Sequence, residues 1–200
     1  MTDAQLITRF HDGKVDAFNT LVWRWEKNLY NFILRYVGDR EEAKDLCQKT
    51  FIRVYRNLPR LRDPQKFSAW LYQIAVNICR DELRKRRRRP MCSLESLQES
   101  EDGQPNPTLE MAAPSSTHPD AVVQDLDLRD LLNRALQAIP EEQRVVIIMK
   151  EYKGLKFAEI AEVLQTPLNT VKSRMYYGLS ALRKILDQWN IDEEMVRYEV

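Results

Sequence analysis

The stretch EIAEVLQTPLNTVKSR (residues 159–174) predicts a short helix, a tight turn and a second helix. Thr166 is a residue type that often caps a helix N-terminus, and Pro167 suits the first helical position. A new helix is therefore expected within two residues of the end of the previous one. That spacing is typical of a helix-turn-helix, and it indicates binding to duplex DNA.

The composition is that of a globular protein. The 200 residues can form one domain or two small ones, and an apolar content of 44% is enough for ordinary cores. No run approaches the roughly 18 apolar residues of a membrane span, and the N-terminus is polar rather than basic and then apolar. We therefore expect a cytoplasmic protein with no direct membrane insertion.

Metal and disulfide sites are not indicated. Cys47, Cys79 and Cys92 are far apart, and His11 and His118 are equally isolated, so we expect no metal and no cofactor. Cys47 and Cys79 fall on apolar helical stripes, which favours core packing; a redox-sensing thiol is the alternative.

Charge is unevenly distributed along the chain, although the net charge is only +1. Residues 1–90 contain 20 Lys or Arg against 11 Asp or Glu, residues 91–122 none against six, and residues 123–200 contain 11 against 13. Within the last part, residues 143–184 are basic. This pattern is expected when two basic bodies meet phosphate and the acidic segment between them does not.

Periodicity and proline content divide the chain into four parts: an N-terminal domain (1–90), a disordered acidic linker (91–122), a C-terminal domain (123–187) and an acidic tail (188–200). Five prolines mark the linker region, at positions 90, 105, 107, 114 and 119. Both domains are predicted to be all-α. Their helices are expected near 3–11, 15–37, 40–57, 65–88, 123–138, 141–153, 157–164 and 167–187.

The third and fourth helices each have a polar side that suits a partner. On the third helix, this side contains Asp45, Gln48, Lys49 and Ile52. It is either solvated surface or a docking face for another protein. On the fourth helix, it contains Gln73, Asn77, Arg80, Arg84 and Arg87.

The fourth helix ends in six consecutive cations, residues 84–89, which repel one another unless phosphate or acidic groups neutralise them. A solvated basic helix end is the alternative. Nucleic acid is favoured, because amides can read base edges while cations hold the backbone.

The last helix has an outward face with two tyrosines and little negative charge, which suits a reader of the major groove. That face contains Asn169, Lys172, Ser173, Tyr176 and Tyr177.

Three motifs together resemble the bacterial extracytoplasmic-function (ECF) sigma factors of the sigma-70 family. They are Asp45-x-x-Gln48-x-x-Phe51, then Phe67-x-x-Trp70-Leu71-x-x-Ile74-Ala75-x-Asn77-x-x-x-Asp81, and Glu159-Ile160-Ala161 followed by Thr170-Val171-Lys172-Ser173-Arg174. The resemblance covers about residues 5–187. It implies two helical domains, sigma-2 and sigma-4, in a promoter-specificity subunit of RNA polymerase that catalyses no reaction and takes no small-molecule substrate.

The resemblance also implies roles for residues. Asp45, Gln48, Lys49 and Ile52 would bind the clamp of the largest polymerase subunit. Arg62, Gln73, Asn77, Arg80, Arg84 and Arg87 would hold the melted −10 strand. Asn169, Lys172, Ser173, Tyr176 and Tyr177 would read the −35 element while sigma-4 sits on the polymerase flap. An anti-sigma factor, often tethered to the membrane, would hold the protein inactive in a stress response.

One departure from the family pattern concerns the −35 reader. Many relatives have Arg at the positions of Tyr177 and Leu179, and Gly at the position of Asn169. We therefore expect a smaller electrostatic share in binding to the −35 element.

Two other functions stay open from the sequence. A stand-alone helix-turn-helix regulator would bind duplex DNA without polymerase and have no use for the Asp45 face. An enzyme acting on nucleic acid is disfavoured, because no Walker loop, metal-type carboxylate cluster or nucleophile–base pair is evident.

Overall fold

The computed structural model describes the backbone of residues 1–95 and 128–189, and the side chains of residues 1–88 and 130–189. These ranges contain helices and no strand, which confirms the all-α prediction. Residues 96–122 of the predicted linker, residues 123–127 of the predicted fifth helix and residues 190–200 of the predicted tail lie outside them.

The N-terminal domain comprises α1 (Asp3–His11), α2 (Val15–Val37), α3 (Arg40–Asn57) and α4 (Phe67–Glu95), with two 3-10 turns, Leu58–Arg60 and Pro64–Lys66, before α4. The C-terminal domain comprises α5 (Leu128–Ala138), α6 (Glu141–Ile147), a π-helical segment (Ile148–Tyr152), α7 (Phe157–Leu164) and α8 (Leu168–Gln188). No helix in the described ranges is long and apolar enough to cross a membrane.

Local sequence explains where the helices begin and end. Thr2 and Gln5 form a capping box that starts α1, and the Asp39 carboxylate accepts the Glu42 amide at 2.8 Å to start α3. Gly38 ends α2 with a φ of 83°, a left-handed conformation that glycine adopts without strain. These signals fix the lengths of α2 and α3, which frame the core.

Large side chains fill the core of the N-terminal domain. Phe32, Tyr36 and Phe67 are fully buried, and each contributes about 1.5–3 kcal/mol through burial. Cys47 and Cys79 are buried and unpaired, as their place on the apolar stripes predicts. Burial raises the pKa of Cys47 to about 11 and also raises that of Cys79, so both stay thiols at neutral pH. These properties support core packing over redox sensing.

Three local predictions were wrong. Helix α4 continues past the predicted end at residue 88, through Pro90 to Glu95, in a stretch where Arg, Met, Leu and Glu favour helix. The predicted helix 141–153 divides into α6 and a π-helical segment. The third concerns the turn before α8, where Pro167, not Thr166, is the N-cap.

The turn before α8 is joined to the end of α7 by the Thr166 side chain. Gln165 has a φ of 51° and closes α7, and the Thr166 hydroxyl donates to the Leu164 carbonyl at 3.1 Å. This bond satisfies a carbonyl at the end of α7. Pro167 is the N-cap of α8, so Thr166 lies one residue before the capping position, and no side chain caps this helix.

The two domains pack against each other. Their buried apolar residues form one continuous cluster that includes Phe32 and Tyr36 from α2 and Ile139 and Val146 from the C-terminal domain. The Arg35 guanidinium lies 4.2 Å from the centroid of the Tyr152 ring, which adds a cation–π contact across the interface.

Candidate nucleic-acid interface

Helix α8 presents its predicted reading face to solvent. Val171 and Met175 are buried against the C-terminal core, which turns the opposite side of the helix outward. Tyr176 is 72% exposed and Tyr177 61%. The remaining predicted −35 residues, Asn169, Lys172 and Ser173, are also exposed. The structure therefore brings all five together on one open helix face.

The chemistry of this face is mostly neutral. The Ser173 hydroxyl donates to the Asn169 carbonyl at 2.9 Å, so its oxygen lone pairs are left to accept a bond from a base. The rings of Tyr176 and Tyr177 meet edge to face, with centroids 5.6 Å apart. Such rings can contact a thymine methyl group or donate to phosphate, while Lys172 supplies one cation.

A cavity of 290 Å³ lies where α3 meets α4. Gln73 and Asn77 line it, as their place on the polar side of α4 predicts, and Trp70 and Ile74 contribute apolar surface. Amide groups beside an aromatic ring can hydrogen-bond and stack an unpaired base. The cavity therefore has the chemistry needed to hold a base outside the duplex.

Sequence reasoning missed part of this cavity. Arg53, Asn57 and Arg60 also line it, from α3 and the turn that follows. Arg53 and Asn57 are polar residues of α3, but helical periodicity cannot show that this side of α3 borders α4. Arg62, which was predicted for the −10 strand, is exposed in the next loop and is not among the lining residues.

Much of the basic end of α4 pairs with carboxylates of the protein itself. Arg84 lies 3.8 Å from Asp81, Lys85 3.4 Å from Glu82, and Arg86 2.8 Å from Glu42. Two cations of α4 reach the C-terminal domain: Arg87 lies 3.3 Å from Glu141, and the Nε of Arg80, one turn before the run, lies 4.0 Å from it. Carboxylates of the protein therefore lie beside four of the six consecutive cations, residues 84–87.

The predicted docking face on α3 is exposed, with Asp45, Gln48, Lys49 and Ile52 all at the surface. Gln48 and Ile52 border a groove of 1270 Å³ between α2 and α3. Trp23 on α2 borders the same groove and is 82% exposed, a feature that sequence reasoning missed. An exposed tryptophan beside an apolar groove is typical of a protein-binding surface.

Comparison with known proteins identifies the family. Residues 21–89, which include α3 and most of α4, match the family described as sigma-70 region 2, and residues 129–182 match sigma-70 region 4. The chain is 32% identical to the RNA polymerase sigma-H factor of Pseudomonas aeruginosa, over 92% of this chain and 93% of that protein. The ECF RNA polymerase sigma-E factor of Escherichia coli K12 is also 32% identical, over 91% of this chain and 93% of its own length. This chain belongs to the ECF sigma factor family.

Solved structures have the same fold as this sigma factor. The sigma factor RpoE of Bartonella quintana, solved in complex with the anti-sigma factor NepR, superposes with a TM-score of 0.64 at 24% identity, over 85% of this chain and 96% of that one. CnrH, solved in complex with the cytosolic domain of CnrY, gives a TM-score of 0.63 at 20% identity, over 93% and 97% of the two chains.

Membership of this family decides between the functions that the sequence left open. The match to region 2 covers the N-terminal domain, so the helix-turn-helix is not that of a stand-alone regulator. The protein is a transcription-initiation factor that acts with RNA polymerase at promoters.

Proposed function

We propose that this sigma factor captures the melted −10 strand on α4 and reads the −35 element with α8. The cavity lined by Gln73, Asn77 and Trp70 carries the first part of the proposal. Extruding a base from the duplex costs a few kcal/mol, and a pocket with amides and an aromatic ring recovers part of that energy. Arg80, Arg84, Arg87 and Arg62 would hold the phosphates on either side.

The −35 element is assigned to the exposed face of α8. Ser173 and Asn169 would contact base edges, Tyr176 and Tyr177 would contact thymine methyl groups or phosphates, and Lys172 would contact the backbone. The exposure of these side chains supports this assignment, because none has to leave a packed core to reach the major groove.

We assign the binding of core polymerase to the α3 face that contains Asp45, Gln48, Lys49 and Ile52. The C-terminal domain would contact the polymerase flap. The groove beside Ile52 supports a protein contact here. We also propose that the protein works in the cytoplasm, where RNA polymerase acts, and that it catalyses no reaction of its own.

The proposed regulator is an anti-sigma factor, either tethered to the membrane or free. It would hold this sigma factor inactive and release it in a stress response. The proposal is supported by the two structural relatives, which were each solved with an anti-sigma partner or a partner's cytosolic domain. Affinity capture of the tagged chain from its source cell is expected to yield a protein that blocks binding to core polymerase. A partner that leaves core binding unchanged would contradict this role.

Reconstitution with core polymerase and a promoter library tests the assignment of the two promoter elements. Asn77→Ala is expected to reduce strand opening about tenfold, the cost of losing one good base contact, while −35 binding stays unchanged. Asn19→Ala, an exposed amide on α2, is the matched control. Ser173→Ala combined with Tyr176→Ala should instead weaken −35 binding and leave core binding unchanged, with Gln188→Ala at the far end of α8 as its control. A reversed pattern would refute both assignments.

A second substitution tests the polymerase face. Ile52→Glu places a charge in the apolar groove, so we expect binding to core polymerase to weaken by about tenfold or more. Val15→Glu makes the same change at another exposed aliphatic side chain, outside this groove, and is expected to have little effect. Equal effects of the two variants on core affinity would argue against the assigned face.

A further inference from the structure

The interface between the two domains is centred on the C-terminal end of α2. The Tyr36 carbonyl accepts a hydrogen bond from Arg144 Nη1 at 2.7 Å, and the Arg35 carbonyl accepts one from Gln137 Nε2 at 2.8 Å. These carbonyls belong to the last turn of α2, where the helix supplies no donors of its own. The positive charge of Arg144 also suits the negative end of the helix. The C-terminal domain therefore caps a helix of the N-terminal domain.

Gly38 permits this close approach. A Cβ atom added at Gly38 would lie 2.6 Å from Cδ of Gln137, which is closer than real Cβ atoms come to a neighbour. A side chain at this position would therefore push the end of the Gln137 side chain away from the Arg35 carbonyl, and it would also strain the left-handed backbone.

Glu141 makes the second polar contact across the interface. Its carboxylate accepts the Tyr36 hydroxyl at 2.9 Å and faces the guanidinium groups of Arg87 and Arg80 at 3.3 and 4.0 Å. The Glu141 side chain is only 11% exposed. A charged carboxylate with so little exposure to solvent is unfavourable unless cations neutralise it. Both of the cations that face Glu141 come from α4. Glu141 and these two arginines therefore neutralise each other's charge across the interface.

A third contact repeats this charge pattern beside the start of α4. Lys66 Nζ, in the turn before α4, lies 2.7 Å from the Glu162 carboxylate on α7. In each of these pairs the N-terminal domain supplies the cation and the C-terminal domain supplies the carboxylate.

We propose that this closed arrangement is a self-masked state, in which Glu141 and Glu162 occupy the positions where DNA phosphates would neutralise Arg80, Arg87 and Lys66. The proposal rests on the −10 role given above to Arg80 and Arg87. DNA and the C-terminal domain then compete for the same cations, so promoter binding separates the domains and the closed state lowers the affinity of the free chain for DNA.

The dimensions of the closed chain also indicate that the two domains have to separate. A compact body of this length has a radius of gyration of about 16 Å and a diameter of about 40 Å. The −10 and −35 elements lie about two duplex turns apart, or roughly 70 Å. The closed chain therefore cannot contact both elements at once, and the domains have to part before both are bound.

The test compares two carboxylates that neighbour each other in α6. Glu141→Gln removes the charge that faces Arg80 and Arg87, whereas Glu142→Gln makes the same change at an exposed side chain. For the full chain in low salt, we expect Glu141→Gln to raise the radius of gyration in X-ray scattering by about a quarter. Its affinity for a random-sequence single-stranded 20-mer should rise about fivefold. Glu142→Gln should change affinity less than twofold and leave the radius unchanged.

Exchange of the two charges gives a second test, because a neutral glutamine at position 141 can occupy the same space as the glutamate. Glu141→Arg should expand the chain, and adding Arg87→Glu should restore the compact radius, a readout that involves no DNA. Unchanged dimensions in both Glu141 variants would overturn the closed state as a charge-held arrangement. Expansion without a gain in DNA affinity would overturn the masking alone. Failure of the −10 assignment would appear separately, as an unaffected Asn77→Ala variant in the reconstituted polymerase.

Discussion

At the scale of single residues, Arg144 makes structural contacts that the sequence does not reveal. It precedes an apolar run, and nothing in that pattern marks it as buried; only 8% of the residue is exposed. Besides the bond to Tyr36, its guanidinium donates to the carbonyls of Gln137 and Ile139 at 3.0 and 3.1 Å and to the Gln137 side chain. One side chain thus ties the α5–α6 turn to the end of α2.

Replacement of Arg144 by methionine is expected to lower the free energy of unfolding by about 2–4 kcal/mol, because several buried carbonyls lose their donor. Arg134→Met removes the same charge from an exposed position on α5 and should cost less than about 0.5 kcal/mol. Chemical denaturation followed by circular dichroism measures both. A similar loss in the two variants would show that Arg144 acts through net charge and not through its hydrogen bonds.

Residue-level prediction from the sequence was correct where periodicity alone decides exposure. Asn77 and Tyr176 lie on the sides of α4 and α8 that the spacing of buried residues predicts. Arg53 and Arg60 were missed because their importance depends on α3 lying against α4, and helix–helix contacts of this kind leave no local pattern in a single sequence.

At the scale of secondary-structure elements, the 3.6-residue period and the capping residues predicted most helix boundaries to within two residues. The π-helical segment Ile148–Tyr152 escaped prediction because residues 145–149 are all buried, so the run has no polar side from which to read a period. The Leu155 amide donates to the Met149 carbonyl at 3.2 Å beyond this segment. Tertiary packing, not local propensity, decides the backbone there.

The neutral face of α8 leads to a prediction about salt. Binding of DNA releases counterions in proportion to the phosphates contacted, and log K changes with log salt by about −0.9 for each one. Tyr177→Arg adds a cation at an exposed position on the reading face, so we expect the slope for a −35 duplex to steepen by about 0.9. Gln188→Arg adds the same charge far along the helix and should leave the slope nearly unchanged. Equal slopes for Tyr177→Arg and the unaltered chain would mean that residue 177 does not reach the backbone.

At the scale of the whole molecule, the sequence predicted two basic bodies but not how they meet. Residues that join them lie far apart in the sequence, more than 100 positions for Tyr36 and Glu141 or Tyr36 and Arg144. An acidic residue is favourable in the first turn of a helix by itself, so the sequence gives no sign that Glu141 has a distant partner. Its pairing with Arg87 depends on the relative position of two domains, which periodicity within one helix cannot reveal.

Lys153 makes the closed arrangement depend on pH. Its ammonium group donates to the Asn28 carbonyl at 2.8 Å across the interface, with Arg35 of α2 and the Tyr72 ring of α4 facing it. Burial, together with the charge of Arg35, lowers the pKa of Lys153 to about 8. A solvated lysine titrates near 10.4. Between these pH values the separated domains bind a proton that the closed form lacks, so raising the pH favours the closed form.

We therefore expect the radius of gyration of the free chain to fall as the pH rises from about 7.5 to about 9.5, measured by X-ray scattering at constant salt. The range stops below the ordinary pKa of tyrosine, about 10. Burial and Glu141 raise the pKa of Tyr36, so its ionisation at higher pH would favour separation. Lys153→Gln retains a donor for Asn28 but does not titrate, so the radius of this variant should be independent of pH. A radius that grows over this range, or a Lys153→Gln variant with the same pH dependence as the unaltered chain, would show that another group controls the interface.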